Sequence, residues 1–122
     1  METRKQKRKI LIIMPDRKKA DEIAICLTQS GFEVTDIVPY LYNALHSIER
    51  IKPELLIIET DIKADEATFI YTYLKIPLVL ISNQRREELQ SFCYSINLLE
   101  IIHKPFSLYE VVFSVVRTSP EN

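Results

Sequence analysis

The chain has 122 residues, of which 47% are hydrophobic and 27% are charged, and its net formal charge is −1. This length and composition predict one folded domain with a real core and exclude a disordered chain. The charge gives no basic field for nucleic acid and no apolar stretch is long enough to cross a membrane, so we expect neither as a direct partner, and a cytoplasmic location.

The chain begins with a basic segment, followed by one strand and one helix. Residues 1–8 are polar and aperiodic, lack the apolar region of a signal peptide, and are interpreted as a disordered basic tail. The apolar run KILIIM at 9–14 predicts a strand covered on both faces, and it stops at Pro15. Asp16 is placed to cap the following helix, and Gly31, the only glycine, is placed to end it.

The remainder of the chain repeats this alternation of strand-like and helical patterns. Further strands are predicted at 32–38, 54–59, 76–82 and 99–103, and further helices around 41–48, 65–74, 84–96 and 107–117. The last helix starts with a capping box, Ser107 with Glu110, and residues 118–122 are expected to form a frayed tail. Five strands alternating with five helices predict a single α/β domain at 9–117 with a parallel sheet.

Some residues have an ordinary structural interpretation. Cys26 and Cys93 lie in apolar helix-like segments, so we interpret them as buried thiols rather than as a disulfide or metal site. Four tyrosines are predicted to pack in the core or at its rim rather than to stack on a ligand: Tyr40, Tyr42, Tyr71 and Tyr73. His103 is predicted to face solvent.

Ligands and chemistry in open parallel sheets lie beyond the carboxyl ends of the strands. The third predicted strand places a carboxylate at this edge, because its run LLII is followed directly by Glu59. Asp16 and Asp61 lie at the same predicted edge, but an acidic cluster without defined ligand geometry is a weak case for a cation site. The positions selected by this rule are Met14–Asp16, Ile37–Tyr40, Glu59–Asp61, Ser82–Asn83 and His103–Pro105.

Four stretches, KILIIMPD, KPELLIIETDI, IPLVLIS and HKPF, follow one another with ordinary spacing. In this combination the sequence resembles the response-regulator receiver (CheY-like) domain family, over nearly the whole of 9–117. The resemblance implies a single flavodoxin-like (βα)5 fold, with a doubly wound parallel sheet of strand order 2-1-3-4-5. It also implies a signal-transduction module of the two-component or phosphorelay type.

The resemblance also assigns roles to single residues. In such domains an aspartate at the tip of the third strand accepts a phosphoryl group, while a hydroxyl after the fourth strand and a lysine after the fifth contact the phosphate. Here Glu59 stands at the phosphoacceptor position, and Ser82 and Lys104 stand at the phosphate-contact positions. Pro105 is the candidate for a cis peptide bond that usually follows the lysine.

Other positions depart from the family's pattern. Met14 and Pro15 stand where a receiver has the acids that hold Mg²⁺, Asp16 follows them, and Ile101 replaces the switch aromatic. Mg²⁺ needs well-placed oxygen ligands, so we expect no metal and no other cofactor. Without the metal, phosphoryl transfer loses its main electrostatic stabiliser, and Glu59 is one methylene longer than aspartate, which misplaces its oxygens.

The sequence therefore predicts a pseudo-receiver that is not an enzyme and acts by protein–protein contact without phosphorylation. Glu59 either imitates the phosphorylated arrangement by pairing with Lys104 or is a relic of a lost site. Two alternatives stay open: a functional phosphoacceptor receiver using Mg²⁺, and a small-molecule-binding flavodoxin-like domain. The second conflicts with MPDRKK after the first strand, which is not a glycine- or hydroxyl-rich phosphate loop.

The expected contact surface is the face made by the fourth helix, the fifth strand and the fifth helix. Its partners would be a histidine kinase, an output domain or a second copy of the chain in a homodimer, and its mixed charges suit docking. The sequence leaves open whether this domain belongs to a longer protein. The residues predicted on this face are Arg85, Arg86, Glu88, Gln90, Glu100 and Tyr109.

Overall fold

The computed structural model describes residues 7–61, 75–89 and 97–120. Its strands are β1 (Lys9–Ile13), β2 (Glu33–Val38), β3 (Leu55–Glu59), β4 (Leu78–Ile81) and β5 (Leu98–Ile102). Its helices are α1 (Arg17–Gln29), α2 (Leu41–Ile51), α3 (Arg86–Leu89) and α4 (Leu108–Thr118). Helices α3 and α4 correspond to the fourth and fifth predicted helices. The predicted helix at 65–74 and the rest of 84–96, with Cys93, lie outside the described residues.

The five strands form one parallel sheet in the order β2-β1-β3-β4-β5, which confirms the predicted flavodoxin-like fold. The central strand β3 explains the apolar run LLII, because successive side chains point to opposite faces and both faces are covered. Leu56 and Ile58 pack with α2, whereas Leu55 and Ile57 pack with α1 and α4. All four of these side chains are fully buried.

The predicted helix ends are confirmed by their capping bonds. The Asp16 side chain accepts a hydrogen bond from the Lys19 amide at 3.2 Å and so caps α1. Gly31 follows α1 with a φ of 95°, a left-handed conformation that favours glycine. Ser107 and Glu110 form both bonds of the capping box at the start of α4.

Both predicted tails contribute residues to the folded unit. The Arg8 guanidinium donates to Ser119 Oγ at 2.8 Å, and the Arg8 carbonyl accepts from the Glu33 amide at 2.9 Å. Helix α4 includes Thr118, and Ser119 Oγ donates to the Val115 carbonyl at 2.5 Å. Arg8 and Ser119, which lie on either side of the range 9–117, are therefore bonded to each other, to β2 and to α4.

The structure changes two of the smaller predictions. Cys26 is a free thiol that is only half-buried, rather than fully buried. Tyr40 and Tyr42 are exposed and stack on each other, with ring centroids 5.7 Å apart, so they do not pack in the core. His103 is exposed, as predicted.

Among the helices of the described residues, none is long and apolar enough to span a bilayer.

Candidate functional site

The parallel sheet brings the ends of β3, β4 and β5 to one edge. Glu59 is the last residue of β3 and pairs in register with Ile81 of β4. Ser82 follows β4 directly, and its amide donates to the Ile102 carbonyl of β5 at 3.0 Å. Lys104 comes two residues after Ile102. The sheet therefore places the acceptor-equivalent carboxylate, the hydroxyl and the lysine at the same edge.

Glu59 and Lys104 form an ion pair at this edge. Glu59 Oε2 lies 3.7 Å from Lys104 Nζ, beyond the range of a good hydrogen bond. The Glu59 side chain is 14% exposed and the Lys104 side chain 41%. The Lys104 amide donates to Asn83 Oδ1 at 2.8 Å, and the Lys104–Pro105 peptide bond is cis, as expected for Pro105. The lysine is thus held through its backbone, and its ammonium faces the Glu59 carboxylate.

Ser82 directs its hydroxyl to Asp61 rather than to Glu59 or Lys104. Ser82 is fully buried, and its Oγ donates to Asp61 Oδ1 at 2.6 Å. The same oxygen accepts the Gln84 amide at 3.0 Å. Sequence reasoning considered Asp61 only as a member of an acidic cluster. Its position two residues after Glu59 could have indicated that Asp61 lies at the same edge of the sheet. Its hydrogen bond with Ser82, however, depends on how the chain turns after β3.

The residues after β1 do not fit the metal that the fold implies. Met14 is 1% exposed and packs in the core with α1, so its thioether is not offered as a ligand. Pro15 has no ligand atom in its side chain, and the Asp16 carboxylate caps α1. Within 7–61, 75–89 and 97–120, no three His, Cys, Asp or Glu side chains are grouped to hold a metal ion. The donor chemistry is therefore wrong for Mg²⁺, which prefers several oxygen ligands.

Ile101, which the family resemblance puts at the switch-aromatic position, is partly buried and packs against the core cluster formed by α2 and the first four strands. An aliphatic side chain in this place has no ring to rotate between a buried and an exposed position.

The predicted contact face is only partly free for a partner. Arg85 and Glu88 are exposed and pair with each other at 3.5 Å. Glu100, by contrast, turns towards α4. Arg117 donates to both of its carboxylate oxygens, and Ser114 Oγ donates to one of them at 2.7 Å. The hydrogen bond from Arg117 lowers the pKa of Glu100. The Arg86 side chain and Gln90 lie outside the described residues.

Helix α4 also has an apolar surface that the sequence analysis missed. Tyr109, Phe113 and Val116 are 68%, 60% and 51% exposed, and we call these three residues the α4 stripe. Their i, i+4, i+7 spacing places them on one side of the helix. The Tyr109 and Phe113 rings contact each other, with centroids 6.5 Å apart. The prediction used the same periodicity only for the buried side, so it counted Tyr109 alone.

Comparisons with known proteins identify the fold. Neither the protein families nor the curated proteins give a match. Among solved structures, the chain is similar to the receiver domain of a modulated diguanylate cyclase from Desulfovibrio desulfuricans G20, at 19% identity and a TM-score of 0.70 over 92% of this chain and 93% of that one. It is similar to the orphan response regulator HP1043 of H. pylori, at 17% identity and a TM-score of 0.74 over 90% of this chain and 94% of that one. The beryllofluoride-activated NtrC receiver domain is 14% identical, with a TM-score of 0.75 over 93% of this chain and 94% of that one. The chain therefore has the fold of response-regulator receiver domains.

Proposed function

We propose that this chain is a cytoplasmic signalling module of receiver type that has lost phosphoryl chemistry and acts by protein–protein contact, not as an enzyme. The main supporting observation is the ion pair between Glu59 and Lys104, because it places a carboxylate of the chain itself beside the lysine that would contact a phosphate. Met14 and Pro15 supply no metal ligand at the neighbouring strand end, which removes the electrostatic support for transfer.

The ion pair explains how such a module would hold one conformation without phosphate. The Lys104 side chain at the end of β5 is 41% exposed, and its ammonium attracts a negative charge, although water can also solvate it. Glu59 supplies that charge permanently, whereas a phosphoryl group supplies it only transiently. The carboxyl ends of β3 and β5 are then kept in one arrangement, and the surface that a partner reads does not depend on a phosphodonor.

The test is intact-mass spectrometry after incubation with Mg²⁺ and acetyl phosphate, with a Glu59→Asp variant beside the unmodified chain. We expect no phosphoryl adduct on either protein, because the ligands for the metal are missing in both. An adduct on the unmodified chain would overturn the proposal and restore a phosphorylated switch. An adduct on the variant alone would contradict the argument from the missing metal ligands and identify Glu59 itself as the block to phosphorylation of the unmodified chain.

The α4 stripe is the contact surface that we propose, and a second copy of the chain is the occupant. The stripe is self-complementary: a twofold axis beside Phe113 pairs two antiparallel α4 helices so that Tyr109 lies opposite Val116 of the second copy. The three side chains offer at most about 400 Å² for each protomer, about half of a standard interface. A weak, concentration-dependent homodimer is the expected result.

A further inference from the structure

The Ser82 hydroxyl forms most of the hydrogen bonds it can make with other groups of the chain. A serine hydroxyl has one hydrogen to donate and two lone pairs. The hydrogen can go to Asp61 Oδ1 at 2.6 Å or to Gln84 Oε1 at 3.2 Å, and the Gln84 amide occupies one lone pair. The shorter contact has the length of a charge-assisted O–H···O⁻ bond, so Asp61 is the acceptor.

The bond to Asp61 belongs to a circuit of contacts around the edge of the sheet. Asp61 accepts a hydrogen bond from Ser82. Asn83, the residue after Ser82, accepts a hydrogen bond from the Lys104 amide through its side chain. Lys104 in turn pairs with Glu59, two residues before Asp61. Side chains therefore connect the end of β3 to the loop after β4, that loop to the end of β5, and β5 back to β3.

We propose that Asp61 is the positioning residue of this site: its carboxylate fixes the Ser82 hydroxyl and, through it, the loop 82–84 that binds Lys104. This inference deepens the proposed function and rests on it. The two carboxylates then have different partners: Glu59 pairs with the Lys104 ammonium, and Asp61 accepts the hydrogen bond from the Ser82 hydroxyl. An external anion would have to compete with Asp61 for the Ser82 hydrogen and with Glu59 for the Lys104 charge.

Two backbone amides report on the loop. The Gln84 amide donates to Ser82 Oγ, and the Lys104 amide donates to Asn83 Oδ1. Asp61→Ala removes the shorter, charge-assisted bond of the buried hydroxyl and leaves it only the longer contact to Gln84 Oε1, and we expect hydrogen exchange measured by NMR to become about fivefold to thirtyfold faster at both amides. Asp61→Asn keeps an acceptor oxygen and should restore most of the protection. Asp21→Ala is the matched control, because it removes an aspartate from an exposed ion pair with Arg17 on α1, and it should leave both amides within about twofold of the unmodified chain.

A double-mutant cycle separates this bond from a general loosening of the loop. In a Ser82→Ala background Asp61 has no donor to bind, so adding Asp61→Ala should not change exchange of the Lys104 amide further. An equal acceleration with and without the hydroxyl would overturn the proposal, as would unchanged exchange in the Asp61→Ala single variant. A phosphoryl adduct in the mass experiment would refute the proposed function without altering this readout, so the two failures are distinguishable.

Discussion

The ion pair between Glu59 and Lys104 should respond unequally to the loss of its two members. Lys104→Met keeps most of the aliphatic stem and removes the charge, and it leaves a carboxylate that is only 14% exposed without its cation. Glu59→Gln leaves an ammonium that is 41% exposed and can be hydrated again. Lys104→Met, which removes the more exposed partner, should therefore destabilise the fold more than Glu59→Gln, which removes the more buried one.

The magnitudes follow from the separation and the burial. At 3.7 Å and an effective dielectric constant near 20, the gross attraction is about 4 kcal/mol, which desolvation and solvent screening reduce to a net value of about 1 kcal/mol. Leaving Glu59 unpaired adds the cost of a poorly solvated charge, so Lys104→Met should cost about 2 kcal/mol. Glu59→Gln should cost less than about 1 kcal/mol, because the remaining ammonium reaches water.

Urea unfolding followed by far-ultraviolet circular dichroism measures both values. With a slope of about 1–3 kcal/mol per molar urea, Lys104→Met should lower the midpoint by about 1 M and Glu59→Gln by half of that or less. The double variant should cost less than the sum of the single ones by about 1 kcal/mol. Equal costs, or a larger cost for Glu59→Gln, would refute the view that a poorly solvated carboxylate depends on the lysine.

Two further predictions concern α4. The hydrogen bond from Arg117 lowers the pKa of Glu100, so this carboxylate adds stability above its unfolded pKa of about 4.3 and loses it as the pH falls through the lower folded value. Glu100→Gln should remove that part of the pH dependence in thermal unfolding between about pH 7 and pH 3, and an unchanged profile would contradict the assignment. Phe113→Ser should weaken self-association about tenfold in sedimentation equilibrium, through loss of apolar contact. Ile25→Ser on α1 is the control, since Ile25 is similarly exposed at 58%, and an equal effect there would rule out the α4 stripe.

The features that were predictable depend on local patterns. The run LLII, the Asp16 cap and the capping box of Ser107 with Glu110 are readable because each involves residues within a few positions of one another. The alternation of such elements specified a parallel sheet, and the family resemblance supplied the strand order. The edge of the sheet then followed, so Glu59 and Lys104 could be expected to lie near each other.

The features that were missed depend on contacts between distant parts of the chain. Ser82 and Asp61 are 21 residues apart, and Arg117 and Glu100 are 17 apart, so no periodicity connects them. Each pairing is decided by the direction in which a loop or helix leaves the sheet. The α4 stripe was missed for a different reason: the same helix is apolar on two sides, and only the buried side is needed to form the core.

A module of this kind would be controlled by its own concentration rather than by a phosphodonor. With Glu59 beside Lys104 and Asp61 bound to Ser82, both donors of the site have a permanent partner within the chain. A ligand shifts a conformational equilibrium only by its differential affinity for the two states, and an anion that must compete with two carboxylates of the chain for these groups gains less from binding them. The proposed homodimer would depend on the concentration of the chain, because a stripe burying at most about 400 Å² on each protomer would give a contact that forms and dissociates readily.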